Sequence, residues 1–206
     1  MSVMGEPDRP WSSLDAEIEG PATLRDGTLV WIRPVQITDR ALLVEFFRHV
    51  SFRSMESRYV VPISIDSAVD EILASRGTDD RLSLVALERS DERSGIVAHA
   101  EFAADRSDPV TAEVAFLVRD DYQGRGLGTI LLHRLAAIAR ARGMRRFYAY
   151  VLPVNDLMLK VFRNSGFPIM ESTLADTTRV DIPIVEPPSP FPEGEHPHLS
   201  DGVTGH

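Results

Sequence analysis

The stretch that decides the fold is Val118–Leu135, "VRDDYQGRGLGTILLHRL". Gly124, Gly126 and Gly128 alternate here, with Arg125 between the first two, and they part a strand-like run from a helix-like one. Upstream, "TAEVAFLV" (111–118) reads as a strand. Downstream, Leu127, Leu131, Leu135 and Ile138 recur at helical spacing towards Arg142, and Gly143 supplies the stop. Two readings fit such a corner. Successive N–H groups of a glycine-rich turn converge on a phosphate or diphosphate, helped by the positive end of the helix that follows. Alternatively, the glycines make a tight strand-to-helix turn with no ligand.

Two familiar phosphate loops do not match. A dinucleotide fingerprint needs a third glycine three places after the second, where Thr129 stands after Gly126, and an acid ending the next strand, which "RRFYAYVL" (145–152) lacks. A P-loop needs Gly-Lys-Ser/Thr, and the only lysine in the chain is Lys160.

Composition narrows the class. A chain of 206 residues, 43% apolar, supports one domain with a real core. With no cysteine, disulfides, thiolate metal sites and a cysteine nucleophile are excluded. No run approaches the roughly 20 apolar residues of a membrane span, so a cytoplasmic protein without membrane contact is expected. The net charge of −9 belongs to the ends: residues 1–20 carry five acids and one arginine, and residues 186–206 four acids and no Lys or Arg. The near-neutral middle offers no basic patch for nucleic acid.

The same ends read as disordered: 1–20 polar, and 186–206 acidic and proline-rich, around a folded body at 21–185. The tail residues His196, His198 and His206 have no frame to hold a metal, and none is expected. With so short a head, no in-chain effector domain is expected either.

Within the body, Asp26-Gly27 of "ATLRDGTLVWIRPV" (22–35) marks a hairpin. Thr38 or Asp39 opens a helix with Leu42, Leu43, Phe46, Phe47 and Val50 on one face, and a second helix fits Ser67–Arg76 behind Asp66. "LSLVALE" (82–88), "GIVAHAEFAA" (95–104) and "TAEVAFLV" follow as strands joined by short turns, hence antiparallel. After the long helix come the strand "RRFYAYVL", a helix over Asn155–Asn164 ended by Ser165-Gly166, and a pair "PIMESTL" (168–174) and "TTRVDIPI" (177–184). The pattern predicts an α/β (α+β) single domain with a mixed, mainly antiparallel sheet flanked by helices.

Gln123-Gly124-Arg125-Gly126-Leu127-Gly128 matches Q/R-x-x-G-x-G/A, and the chain resembles the GNAT superfamily of N-acetyltransferases. The resemblance extends to "AEVAFLV", to "VLPVN" (151–155) with "FRNSGF" (162–167), and to "LRDGTLVWIRPVQITD" and "FFRHVSFRSMESRY" (24–39 and 46–59). These last two look like the catalytic domain of bacterial Pat-type protein lysine acetyltransferases. It covers roughly Ala22 to Val185 and implies acetyl-CoA as cosubstrate, its diphosphate wrapped by Gln123, Gly124, Arg125, Gly126, Leu127, Gly128 and Thr129. By the same resemblance the backbone of Phe116 faces the thioester oxygen, Val118 holds the pantetheine arm and Asn155 binds that arm. It further implies protein lysine acceptors, such as those of acyl-CoA synthetases.

The chemistry asks for a base. A lysine amine, with a pKa of about 10.4, costs roughly 4.6 kcal/mol to deprotonate at pH 7. Glu113, among Ala112, Val114, Ala115 and Phe116, is the leading candidate because partial desolvation would raise its pKa, and it matches the catalytic glutamate of the family's strand. Glu101 and His99, two apart on the neighbouring strand, are the alternatives as base or substrate contacts. Many members carry a tyrosine acid seven residues after the asparagine. Phe162 stands there, so the thiolate leaves unaided or takes a proton from water. Tyr122 and Tyr59 are read as packing or substrate contacts. Small-amine acetylation and a non-catalytic acyl-CoA-binding module are the rival functions, and the oligomeric state stays open.

Overall fold

The computed structural model describes residues 19–185 except 60–62, 76–77, 79, 90–93 and 154. The head and tail expected to be disordered, with the three tail histidines, lie outside the described residues. Eight strands form one sheet in the order β1-β2-β3-β4-β5-β6-β8-β7. In chain order these are β1 (Gly20–Thr23), β2 (Leu29–Pro34), α1 (Arg40–Arg48), α2 (Phe52–Arg58), α3 (Ile65–Ala74), β3 (Arg81–Arg89), β4 (Ser94–Ala104), β5 (Thr111–Val118), α4 (Leu127–Ala141), β6 (Arg146–Val151), α5 (Asp156–Arg163), β7 (Met170–Leu174) and β8 (Thr177–Pro183). Every neighbouring pair is antiparallel except β5 with β6. The mixed, mainly antiparallel sheet read from the sequence is the one found.

Strand alternation sends successive side chains to two cores. Val114 and Phe116 of β5 join Leu127, Leu131 and Leu135 of α4 and Phe147 of β6 on one face. Leu117 goes to the other face, with Val85 and Ile96, under Leu43, Phe46 and Phe47 of α1 and Val69 and Ile72 of α3. Leu135 is fully buried, so truncating it to Ala would cost about 2–5 kcal/mol in transfer and cavity terms.

Asp39, one of the two openings read from the sequence, is the N-cap of α1, which begins at Arg40 after a 3-10 turn over Ile37–Asp39, and its carboxylate is engaged outside the helix. It accepts from both terminal nitrogens of Arg33 at 2.7 Å and from the N–H of Gln36 at 2.7 Å. α3 starts at Ile65, ahead of the expected Ser67, because extended Ser64 is the cap and its hydroxyl accepts from the Ser67 N–H at 3.1 Å. α2 was not anticipated as a helix. "FRSMESR" has little apolar period, and the segment is held by its ends: Ser51 caps it and Arg58 pairs with Glu101.

Candidate active site

The site begins where two strands part. β5 and β6 share three rungs, Thr111 with Arg146, Ala112 with Phe147 and Glu113 with Tyr148. Beyond Glu113, β6 stays with β8 while β5 stays with β4 as far as Val118, so a wedge opens between them. The Arg119 N–H donates to Val97 O at 2.9 Å, on the β4 side. By alternation the N–H groups of Phe116 and Val118 point the other way, into the wedge. A cavity of about 610 Å³ lies on the β5 side of that opening, lined by Phe116, Leu117 and Val118, the glycine loop and α5.

The glycine corner closes the cavity's inner end. Gly124 has φ +73° and Gly126 has φ +90°, a left-handed conformation that costs an L side chain about 1–2 kcal/mol. Gly126 is the N-cap of α4, whose first amides have no partner within the helix. Its first turn contains no acidic residue, so the positive end of this 15-residue helix is not neutralised from within. Gly128 answers a different need: a Cβ there would lie 3.1 Å from a methyl of Val161, so its absence lets α5 pack close. Of the residues expected at the coenzyme, Phe116, Val118, Gln123, Gly124, Gly126, Leu127, Gly128, Thr129 and Asn155 line the cavity. Uncharged donors, a positive helix end and a cradle free of Cβ atoms suit a diphosphate.

Glu113 sits at the apex, on the sheet face opposite Phe116, and does not line the cavity itself. Its side chain reaches solvent, yet burial of its inner side pushes its pKa up; the Arg58 charge opposes that shift and Glu101 reinforces it. The two alternatives are otherwise engaged. Glu101 pairs with Arg58 and accepts from the Ser83 hydroxyl at 3.3 Å. Burial alone would raise its pKa, but His99, Arg58, Arg81 and Ser83 outweigh that and hold it low. His99 is 1% exposed, its Nε2 has no partner among the described residues, and burial lowers its pKa to about 4, so it is neutral and weakly basic.

The acetyltransferase (GNAT) family model matches residues 49–167, across wedge, loop and both flanking helices. The chain belongs to the GNAT family of acetyltransferases. Acetyl-CoA is the cosubstrate consistent with that membership. Acetyltransferase PA5475 of Pseudomonas aeruginosa is 30% identical over 160 residues, which is 76% of this chain and 86% of that protein. Acetyltransferase Pat of Mycolicibacterium smegmatis is 39% identical over 92 residues, 44% of this chain but only 28% of that longer protein. The GNAT domain of S. lividans PAT superposes with a TM-score of 0.69 at 34% identity, covering 81% of this chain and 97% of that domain.

Several GNAT signature side chains here build the loop. Gln123 Nε2 donates to Val118 O at 3.0 Å and to Ser54 Oγ at 3.2 Å, tying strand to loop and α2. Asp120 accepts from the Ser51 N–H and hydroxyl, both at 2.8 Å, and from the Ser54 hydroxyl at 3.0 Å. Arg125, assigned to the coenzyme from its place in the motif, does not line the cavity. It pairs with Asp26 at 2.9 Å and lies 4.9 Å over the Tyr122 ring, which Arg119 covers from 4.6 Å. Tyr122, read from the sequence as a packing or substrate contact, is buried and also lines the cavity.

Asn155 Oδ1 caps α5 by accepting from the Met158 N–H at 3.1 Å, and the residue lines the cavity. Phe162 is buried with its ring edge against Phe116 at 6.1 Å, so no hydroxyl stands there. The sequence reading missed Arg25, Arg53, Ser54, Lys160 and Val161 as lining residues. For α5 a signal existed: Leu157, Lys160, Val161 and Asn164 lie at i, i+3, i+4 and i+7, one helix face. For Arg25 and Ser54 none did, because distant segments bring them.

Proposed function

We propose that the protein acetylates lysine side chains of a protein substrate by direct attack on acetyl-CoA in a ternary complex, with Glu113 as general base. The observation that carries the reading is the wedge. It lies open beside the glycine loop on one side and ends at a carboxylate of raised pKa on the other.

Acetyl-CoA, when bound, supplies the thioester carbonyl as electrophile. The loop amides and the α4 terminus hold its diphosphate, and the wedge takes the extended arm. The N–H of Phe116 stands where a carbonyl oxygen that gains charge would accept from it. Glu113, on the opposite face of the sheet, accepts the proton of the incoming ammonium. A carboxylate of raised pKa is a stronger base. Tyr59 and Tyr148 are both pushed up to about 12, chiefly by burial, so neither is ionised near neutrality to act as the base. With Phe162 buried against Phe116 and no hydroxyl at that position, the thiolate leaves unaided or is protonated by water.

Protein lysine as the acceptor is supported by the match to the GNAT domain of S. lividans PAT and to M. smegmatis Pat. Thiol release from acetyl-CoA, followed in parallel with a lysine-peptide panel and a panel of polyamines, amino acids and drug amines, tests it. Peptide-dependent turnover is expected. Turnover with small amines alone would overturn the protein-lysine reading.

A further inference from the structure

The cavity needs a formal positive charge that the loop does not supply. Backbone amides carry partial charge only, whereas a coenzyme diphosphate brings two negative charges. The loop's own arginine is unavailable, because Arg125 is neutralised by Asp26 outside the cavity.

Arg25, from the turn between β1 and β2, is placed differently. Its backbone N–H donates to Arg125 O at 3.0 Å, which docks the hairpin turn on the glycine loop. Its side chain then runs across Gly126: Cγ and Nε lie 3.3 Å, and Cδ 3.6 Å, from where a Cβ on Gly126 would sit. It lines the cavity, and no carboxylate among the described residues pairs with it. The neighbouring Asp26 goes to Arg125 instead and accepts from the Thr28 N–H at 3.0 Å. Arg53 and Lys160 reach the same cavity from α2 and α5, while the three atoms nearest to a Cβ on Gly126 all belong to Arg25. The hairpin thus delivers one cation to the amides that cradle the diphosphate, while the motif arginine serves as the strut that holds the hairpin.

We infer that Arg25 is the charged ligand of the coenzyme's diphosphate, a binding residue supplied from nearly 100 residues upstream of the loop. The inference rests on acetyl-CoA binding in this cavity. A guanidinium on a phosphate makes charge-assisted hydrogen bonds, and losing them lowers affinity by about tenfold or more.

Calorimetric titration of CoA and of dephospho-CoA into the wild type, Arg25→Gln and Arg25→Lys tests it. Arg25 is exposed, so unliganded variants should melt as the wild type does. Arg25→Gln is expected to bind both ligands about tenfold or more weakly, with a shallower salt dependence, and Arg25→Lys to recover part of the loss. Wild-type affinity of Arg25→Gln for both ligands would overturn the inference. A loss confined to CoA would overturn the diphosphate assignment, since it would put the cation on the 3′-phosphate. A wild type that binds neither ligand would overturn the coenzyme reading itself.

Discussion

Glu113 stands opposite Tyr148 in the last rung that joins β5 to β6, and past this pair the strands separate. The ladder therefore fixes the backbone of Glu113 at the apex, where the wedge begins. Tyr148 is itself held: Arg179 lies 4.4 Å over its ring, and its hydroxyl donates to Asp105 at 3.4 Å. Pushed up to about 12, chiefly by burial, the phenol is protonated near neutrality and cannot serve as the base. Proton transfer at the apex falls to Glu113.

Glu113→Gln removes the base while leaving the loop intact. Turnover is expected to fall at least about 100-fold with the dissociation constant for CoA unchanged. Steady-state kinetics beside calorimetry separates the two effects, and unchanged turnover would remove Glu113 from its role.

The surrounding charges set the pH at which that base ionises. Arg58 lowers the pKa of Glu113 and Glu101 raises it. In the pH profile of kcat/KM, the acid limb should move to higher pH in Arg58→Met and to lower pH in Glu101→Gln. Each change breaks a mostly buried ion pair, so each should also cost about 2–4 kcal/mol in urea unfolding.

Most of this framework was legible in the sequence because it rests on local signals. The glycine corner, the strands flanking it and the long helix announce themselves through turn chemistry and period. What stayed hidden depends on distant segments. α2 has too few apolar residues to show a stripe and is positioned by Asp120 and Glu101. The orientation of Arg125 is decided by Asp26, which sequence spacing does not reveal. Glu101 and His99 stood as alternatives to Glu113 by residue type and strand face. Only the cover of α1–α3 shows one ion-paired and the other buried and neutral.

His99 makes stability acid-sensitive. Burial lowers its folded pKa to about 4 from an ordinary value of 6.5, so between those values the unfolded chain binds the extra proton and stability falls as pH falls. The loss by pH 4 amounts to up to about 3 kcal/mol. Glu113, with its raised pKa, acts with the opposite sign at the acid end of this window. Glu101, with its lowered pKa, loses its contribution only below the ordinary carboxylate range. Urea midpoints at pH 7 and pH 5 should draw apart in the wild type and much less in His99→Leu.

Gly126→Ala tests the left-handed cap. With φ at +90° and the Arg25 side chain 3.3 Å from the new Cβ, the variant should lose about 1–2 kcal/mol. For a domain of this size that is about 4 °C in melting temperature, and CoA affinity should fall with it.

We propose that main-chain amides of one strand and one helix mouth grip the coenzyme, and titrating ¹⁵N-labelled protein with CoA while following the amide shifts tests this most directly. Saturable shifts centred on Phe116, Val118 and Gly126–Thr129 are expected. Saturation that leaves those amides in place, or shifts centred on another part of the sheet, would contradict it.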